Sequence, residues 1–227
     1  ETLLERMADA GGGGYRFVGS SSELPTVIAE ELTRTAETVA RDVRVHVSVP
    51  PEVRLTDVYG WDVPTRRDGA DVYIGDLAAG QSRKIVVALE APTSAAGTLS
   101  VATADLSWRA VAGPSGAASS TVQLRVVEDP DAVAASVDPN ASVAATRARA
   151  GVLARASAEA WRSGDAPRAR RMLQSASDVI AETMATVDAP ELADDQDGLL
   201  RLQGVAAAEG DAYAAKAASE VGRGLAR

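Results

Sequence analysis

SELPTVIAEELTRTAETVARD, residues 22–42, is the stretch on which the fold reading turns. Leu24, Ile28, Leu32, Ala36 and Val39 recur at steps of three or four, which lays one apolar stripe along a helix. Glu23, Glu30, Arg34 and Glu37 fall off that stripe. Ser22 is placed to cap the helix. Pro25 lies in the first turn, where a missing N–H removes no helical hydrogen bond. Outward toward the N-terminus, Ser20 to Ser22 turn the chain, Tyr15 to Val18 read as a short apolar strand, Gly11 to Gly14 as a turn, and Thr2 to Ala10 as a helical run. The order helix, turn, strand, helix is that of the closing unit of an open α/β sheet whose other strands are not in this sequence.

The glycine run does not read as a phosphate cradle. Such motifs place glycines between a strand and a following helix, so that the helix N-terminus faces the phosphate. Here the glycines follow a helix and precede a strand, which is the position of a helix cap and turn.

Two stretches carry a family likeness. Glu1-Thr-Leu-Leu-Glu-Arg-Met-Ala-Asp-Ala-Gly-Gly-Gly-Gly-Tyr-Arg-Phe-Val18, with Ser22-Glu-Leu-Pro-Thr-Val-Ile-Ala-Glu-Glu-Leu32, resembles the final α-β-α of bacterial von Willebrand factor type A (VWA) domain proteins. Val58-Tyr59-Gly60 and Gly75-Asp76-Leu77-Ala78-Ala79-Gly80-Gln81 are similar to the β-rich region that often follows that domain. The likeness covers roughly residues 1–127. It implies a doubly wound α/β domain that holds Mg²⁺ or another divalent cation through an Asp-x-Ser-x-Ser loop, helped by a Thr and an Asp from other loops, and grips an acidic side chain of a protein partner. No Asp-x-Ser-x-Ser occurs here, and Ser20-Ser21-Ser22 lacks a leading aspartate, so no metal residue carries over. The cation is expected only for an upstream VWA portion. The resemblance also implies that the closing helix, Ser22 to Val39, shifts along its axis when the metal site changes state. With a strand expected from Val43, that shift would pass straight into the next domain. Residues 1–41 are then expected to expose apolar surface or to cover it against another chain or a missing segment.

Residues 42–128 read as strands. Val43, Val45, Val47 and Val49 alternate with Arg44, His46 and Ser48, a half-buried period of two that Pro50-Pro51 ends. Further alternations are Val53 and Leu55; Val72 and Ile74; Ile85, Val87 and Leu89; Leu99 and Val101; Val122, Leu124 and Val126. Turns fall at Arg67-Asp68-Gly69, Ala79-Gly80 and Gly113-Pro114-Ser115-Gly116. Within Leu99 to Trp108 the apolar register slips to Ala104, Leu106 and Trp108, which a β-bulge accounts for. Six or seven short strands favour an antiparallel immunoglobulin-like β-sandwich. His46, the one histidine, reads as a surface residue without ligand partners at an interpretable spacing, and Trp61 and Trp108 as core fillers.

Asp129 to Asn140 reads as a linker. Residues 141–227 carry a helical period. Val143, Ala150, Ala154, Ala158 and Trp161 form one stripe, ended at Gly164, with Asp165 placed to cap the next helix. Ala169, Met172, Leu173, Ala176, Ile180, Met184 and Val187 form a second, stopped at Asp188-Ala-Pro190. Leu199, Leu202, Val205, Tyr213, Ala217 and Val221 read as a third that bends at Gly210. Three such helices make an antiparallel bundle, packed closely because alanine is abundant. Trp161-Arg-Ser-Gly164-Asp165 resembles one tetratricopeptide hairpin, and one repeat makes no solenoid. Asp194-Asp195-Gln196-Asp197-Gly198 fails as a calcium loop, since Ala193 stands at the first ligand position and no Glu closes the loop; a first helical turn rich in acids fits better.

The formal net charge of −9 argues against nucleic acid, and arginines at 147, 149, 155, 168, 170 and 171 read as solvated faces. With no cysteine there is no disulfide or thiolate metal site. No apolar run is long enough to span a membrane, and no signal peptide is visible. No nucleophile elbow or catalytic triad is legible. The chain therefore reads as a non-enzymatic interaction or adhesion module with a protein partner. The alternatives are a carbohydrate- or surface-binding β-sandwich and, further off, an enzyme with a dispersed carboxylate pair.

Overall fold

A computed structural model of the chain describes Met7 and residues 20–29, 37–208 and 210–226. Apart from Met7, which is helical, the helix expected over Thr2 to Ala10 lies outside these residues, as do Gly11 to Gly14 and the strand Tyr15 to Val18. Ser21–Glu23 form a 3-10 turn that runs into helix over 24–29. The capping hydroxyl is Ser20 rather than Ser22: its Oγ accepts from the Ser22 N–H at 3.3 Å, and the two hydroxyls hydrogen-bond at 2.8 Å. Leu24 and Ile28 of the apolar stripe are exposed, as is Val39.

Val39 is not helical. Strand β1 (Thr38–Ser48) starts before the expected Val43, because Thr38 and Ala40 pair with one neighbouring strand and Ala40 and Arg41 with the other. The others are β2 (Arg54–Tyr59), β3 (Gly69–Ala78), β4 (Val86–Glu90), β5 (Gly97–Ala110) and β6 (Gly116–Val126). β3-β1-β5-β6 form a four-stranded antiparallel sheet; β2 and β4 form a separate pair.

Alternation sets the two faces. Val43, Val47, Val72 and Ala70 are buried on one, where Val45 pairs with Val72 and Leu106. Arg44, His46 and Ser48 stand on the other. The bulge expected in β5 is present: its pairing with β6 shifts between Ser100 and Ala102, and consecutive Val101 and Ala102 are both buried. Opposite Trp108 lies Gly116, where a Cβ would come within 2.1 Å of the indole, so only glycine leaves room for the ring.

β6 departs from expectation. Val122 and Leu124 are about half exposed, at 49% and 53%, although their alternation suggested a covered face. β6 is an edge strand, and β2 meets the sheet at the other edge, on β3.

The stretch 129–140 is not wholly a linker. Asp129 caps a short helix α1 (Pro130–Ala135), which buries no residue, and Asp138 caps α2 (Pro139–Arg162) by accepting from the Asn140 and Ala141 amides at 2.8 and 3.2 Å. Asp165 caps α3 (Ala166–Thr186) through the Arg168 amide at 3.0 Å, as its place in the sequence suggested. The expected third helix is two, α4 (Glu191–Ala208) and α5 (Asp211–Ala226), with Gly210 between them at φ 85°. That left-handed backbone ends a helix instead of bending it. The acids 194–197 sit in the first turns of α4.

α2 packs on α3 and α5, and α4 on α3 and α5. Their core is alanine-rich: Ala150, Ala154, Ala158, Ala214 and Ala218 are fully buried around Leu173, Ile180, Leu192 and Leu199. Small residues let backbones approach, and at Gly222 a Cβ would lie 2.7 Å from the Gly151 carbonyl oxygen. By contact the chain divides into two compact units, one of the described residues to Arg83 with Val87–Glu128, the other of Lys84–Val86 with the residues from Asp129. No helix among the described residues is long and apolar enough to cross a membrane.

Candidate functional site

The open face of the four-stranded sheet gathers the charged side chains that sequence leaves scattered. Antiparallel register aligns Asp71 of β3, His46 of β1, Asp105 of β5 and Ser119 of β6 in one row. The next row runs Tyr73, Arg44, Ser107 and Ala117. These residues line a concavity of about 820 Å³.

A tight hairpin brings in one further cation. Arg67-Asp68 form a two-residue loop closed by the Arg66 amide donating to the Gly69 carbonyl at 2.8 Å, with the reverse bond at 3.3 Å. Gly69 is required there: its φ is 150°, and a Cβ would fall 1.9 Å from the Val47 carbonyl oxygen. The loop sets the Arg66 guanidinium 3.2 Å from Asp71 Oδ2, while His46 Nδ1 lies 2.8 Å from Oδ1. Asp71, although exposed, is held below the ordinary carboxyl range, first by the His46 hydrogen bond; slight desolvation opposes this, and the positive charge that His46 carries when protonated, the Arg66 charge and the Arg66 hydrogen bond add to it. An ionised carboxylate only accepts, so Nδ1 carries the proton of that bond; Nε2 is then an acceptor when the ring is neutral and a donor when it is protonated.

A second cluster sits at a bulge. Register shifts on both sides of Asp42, the one described non-glycine residue with positive φ, at 55°. Aspartate tolerates this conformation, and three side chains hold it. Its amide donates to Asp76 Oδ1 at 3.1 Å, its Oδ1 accepts from Arg44 Nη2 at 3.0 Å, and Arg109 Nε stands 3.5 Å from Oδ2. Arg44 also lies over the Tyr73 ring, 5.3 Å from its centroid. The face thus presents paired ions, hydroxyls and one imidazole, an arrangement suited to recognising polar or charged groups.

His46 is a surface residue, as its place beside Arg44 and Ser48 suggested, but it has partners that spacing could not show. Asp71 is 25 positions away and meets it only through register. Trp61 and Trp108 are half-buried rather than sealed in a core; the tryptophan that is sealed is Trp161, 3% exposed. Arg149, Arg168, Arg170 and Arg171 are exposed, as expected. Arg147 is not a solvated face: its Nε donates to Asp195 Oδ2 at 2.6 Å and its Nη2 to the Glu191 carbonyl at 3.2 Å, tying α2 to the start of α4. Arg155 is half-buried and lies beside Gly222.

A divalent-cation site of the kind the family resemblance implies does not fit these residues. No group of three His, Cys, Asp or Glu among the described residues could hold a metal ion, and the Ser20 and Ser22 hydroxyls bond one another. The acids 194–197 lie on a helix rather than in a ligand loop.

No family model matches the chain, and no curated protein matches it. Among solved structures it is similar to a von Willebrand factor type A protein from Catenulispora acidiphila, with a TM-score of 0.67 and 17% identity over 96% of this chain and 55% of that one. It is also similar to VWA2, the ArnB paralog of Sulfolobus acidocaldarius, with a TM-score of 0.54 and 14% identity over 99% and 53%. A human COPII-coat protein aligns with a TM-score of 0.56 and 11% identity over 96% and 30%. The chain spans little more than half the length of the first two. At such identities the likeness is one of architecture, and it supports a VWA-like fold: a mixed α/β chain with a central antiparallel sheet.

Proposed function

We propose that this chain is a non-enzymatic interaction module of a VWA-type protein, and that the open face of the four-stranded sheet is where it meets a protein partner. The observation that carries this is the in-register row Asp71–His46–Asp105–Ser119, flanked by Arg44 and lining one concavity. Charges of both signs set at fixed positions on a rigid sheet select a partner's orientation more than they add raw affinity. The VWA-like fold of two neighbours supports the reading, and the third is named as a coat protein. In this reading the two sheets form a sandwich of immunoglobulin-like character and α2–α5 an antiparallel bundle, the two serving as display scaffolds. The divalent cation belongs to a VWA portion with its own ligand loop.

The test uses the intact protein in its own cells, with photoreactive benzoylphenylalanine at Ser107 or Ser119. A single protein adduct at both positions is expected, dependent on Mg²⁺ and lost in an Arg44→Glu, Arg109→Glu variant. An adduct indifferent to that charge reversal, or glycan binding or substrate turnover by the chain with no protein adduct, overturns the proposal.

A further inference from the structure

We propose that the sheet face receives an arginine side chain of the partner, its guanidinium seated between the Asp105 carboxylate and His46 Nε2. This rests on the interaction-module reading and adds the partner's chemistry.

The charge pattern is the first ground. Arg44 and Arg109 both reach Asp42, while Arg66 and His46 share Asp71. Asp105, exposed in the middle of the row, makes no side-chain hydrogen bond or ion pair among the described residues. An incoming cation gains a partner there without displacing one already bound.

The second ground is the tautomer. With Nδ1–H of His46 committed to Asp71, the neutral form of the ring turns an acceptor outward from that bond, and it is this form that receives the guanidinium. A neutral imidazole with a free lone pair asks for a hydrogen-bond donor. The third ground is spacing. His46 and Asp105 are register partners on adjacent antiparallel strands and share a face, which puts their Cβ atoms about 4.5–5.5 Å apart. Two acceptors carried by neighbouring side chains can be reached together by the planar fork of a guanidinium, whose N–H donors point in fixed directions. An ammonium is a point charge and gains less from a second, uncharged acceptor. The chain's net charge of −9 steers basic partners toward it.

The experiment is an NMR titration of the ¹⁵N-labelled chain with the peptide acetyl-Ser-Arg-Ser-Arg-Ser-amide and its lysine, citrulline and glutamate analogues. The single histidine makes the imidazole nitrogen signals unambiguous. The arginine peptide is expected to shift the amides around His46 and Asp105 and the His46 Nε2 signal, and to bind several-fold tighter than the lysine peptide. Asp105→Asn is expected to weaken it about tenfold, the scale of one charge-assisted hydrogen bond, whereas Asp197→Asn on α4 leaves it unchanged. Shifts spread over the acidic helices and indifferent to Asp105→Asn, or preference for the glutamate peptide, overturn the proposal. If the intact protein captures a partner through Ser107 and Ser119 while Asp105→Asn changes neither capture nor titration, the arginine assignment falls and the module reading stands.

Discussion

Gly222 and Gly224 lie on one helix, two positions apart, and the packing gives them opposite fates. A methyl group added at Gly224 meets nothing within 4 Å. Gly224→Ala therefore expresses helix propensity alone, a gain of at most about 1 kcal/mol and less so near a helix end. At Gly222 the same methyl would stand 2.7 Å from the Gly151 carbonyl oxygen and 2.9 Å from the Arg155 amide nitrogen. The Arg155 Cγ, also at 2.7 Å, can swing away, but two backbone atoms of α2 cannot. The helices must separate by several tenths of an ångström, which loosens the alanine contacts between α2 and α5 and costs about 1–3 kcal/mol for overpacking. Set against the propensity gain, Gly222→Ala is expected to destabilise by about 1 kcal/mol, a fall in Tm of about 4–8 °C for a unit of roughly a hundred residues. Thermal melts followed by circular dichroism at 222 nm read both variants. If Gly222→Ala raises the Tm as Gly224→Ala does, α2 and α5 do not touch at this point and the small-residue account of their packing is wrong.

Other perturbations read other parts of the molecule. His46→Ala removes the leading cause of the depressed Asp71 carboxyl, so its titration midpoint, followed by the side-chain carboxyl ¹³C shift, should rise toward the ordinary value of about 3.9. Because the folded value lies below the unfolded one, the stabilisation is present above the unfolded value and fades as pH falls through the folded value; His46→Ala should flatten that acid limb of the denaturation curve. Asp42→Ala should cost about 1–2 kcal/mol in urea denaturation, since alanine takes positive φ poorly, while Asp42→Gly loses the same ion pairs without the strain and should cost less. Asp195→Asn weakens a partly buried ion pair that joins α2 to α4, and about 1–2 kcal/mol of helical-unit stability should go with it, measured by circular dichroism in urea.

How far the sequence discloses this molecule depends on whether a feature is local. The alternation through Val43 to Val49, the slip of register in β5, the Asp165 cap and the acidic first turn of α4 each depend on a few neighbouring residues, and each is where the pattern puts it. Val39 shows how a local pattern misleads. It completes a helical stripe three positions after Ala36, yet it lies in a strand, because pairing of Thr38 and Ala40 with β3 and of Ala40 and Arg41 with β5 satisfies backbone groups that a helix end would leave open. Val122 and Leu124 mislead in the opposite way: their alternation reports a strand correctly, but burial depends on what lies above it, and an edge position leaves them half bare. The His46 ladder is the extreme case. Asp71, Asp105 and Ser119 come from three other strands, and shifting any one pairing by a single residue would turn its side chain to the opposite face. The same bulges that fix register at Asp42 and between Ser100 and Ala102 therefore fix the chemistry of the face. A charged residue in this sheet acquires its role from strand pairing, so the histidine, isolated in the sequence, meets its carboxylate only once β1 and β3 are aligned, and takes its place in the row only once all four strands are.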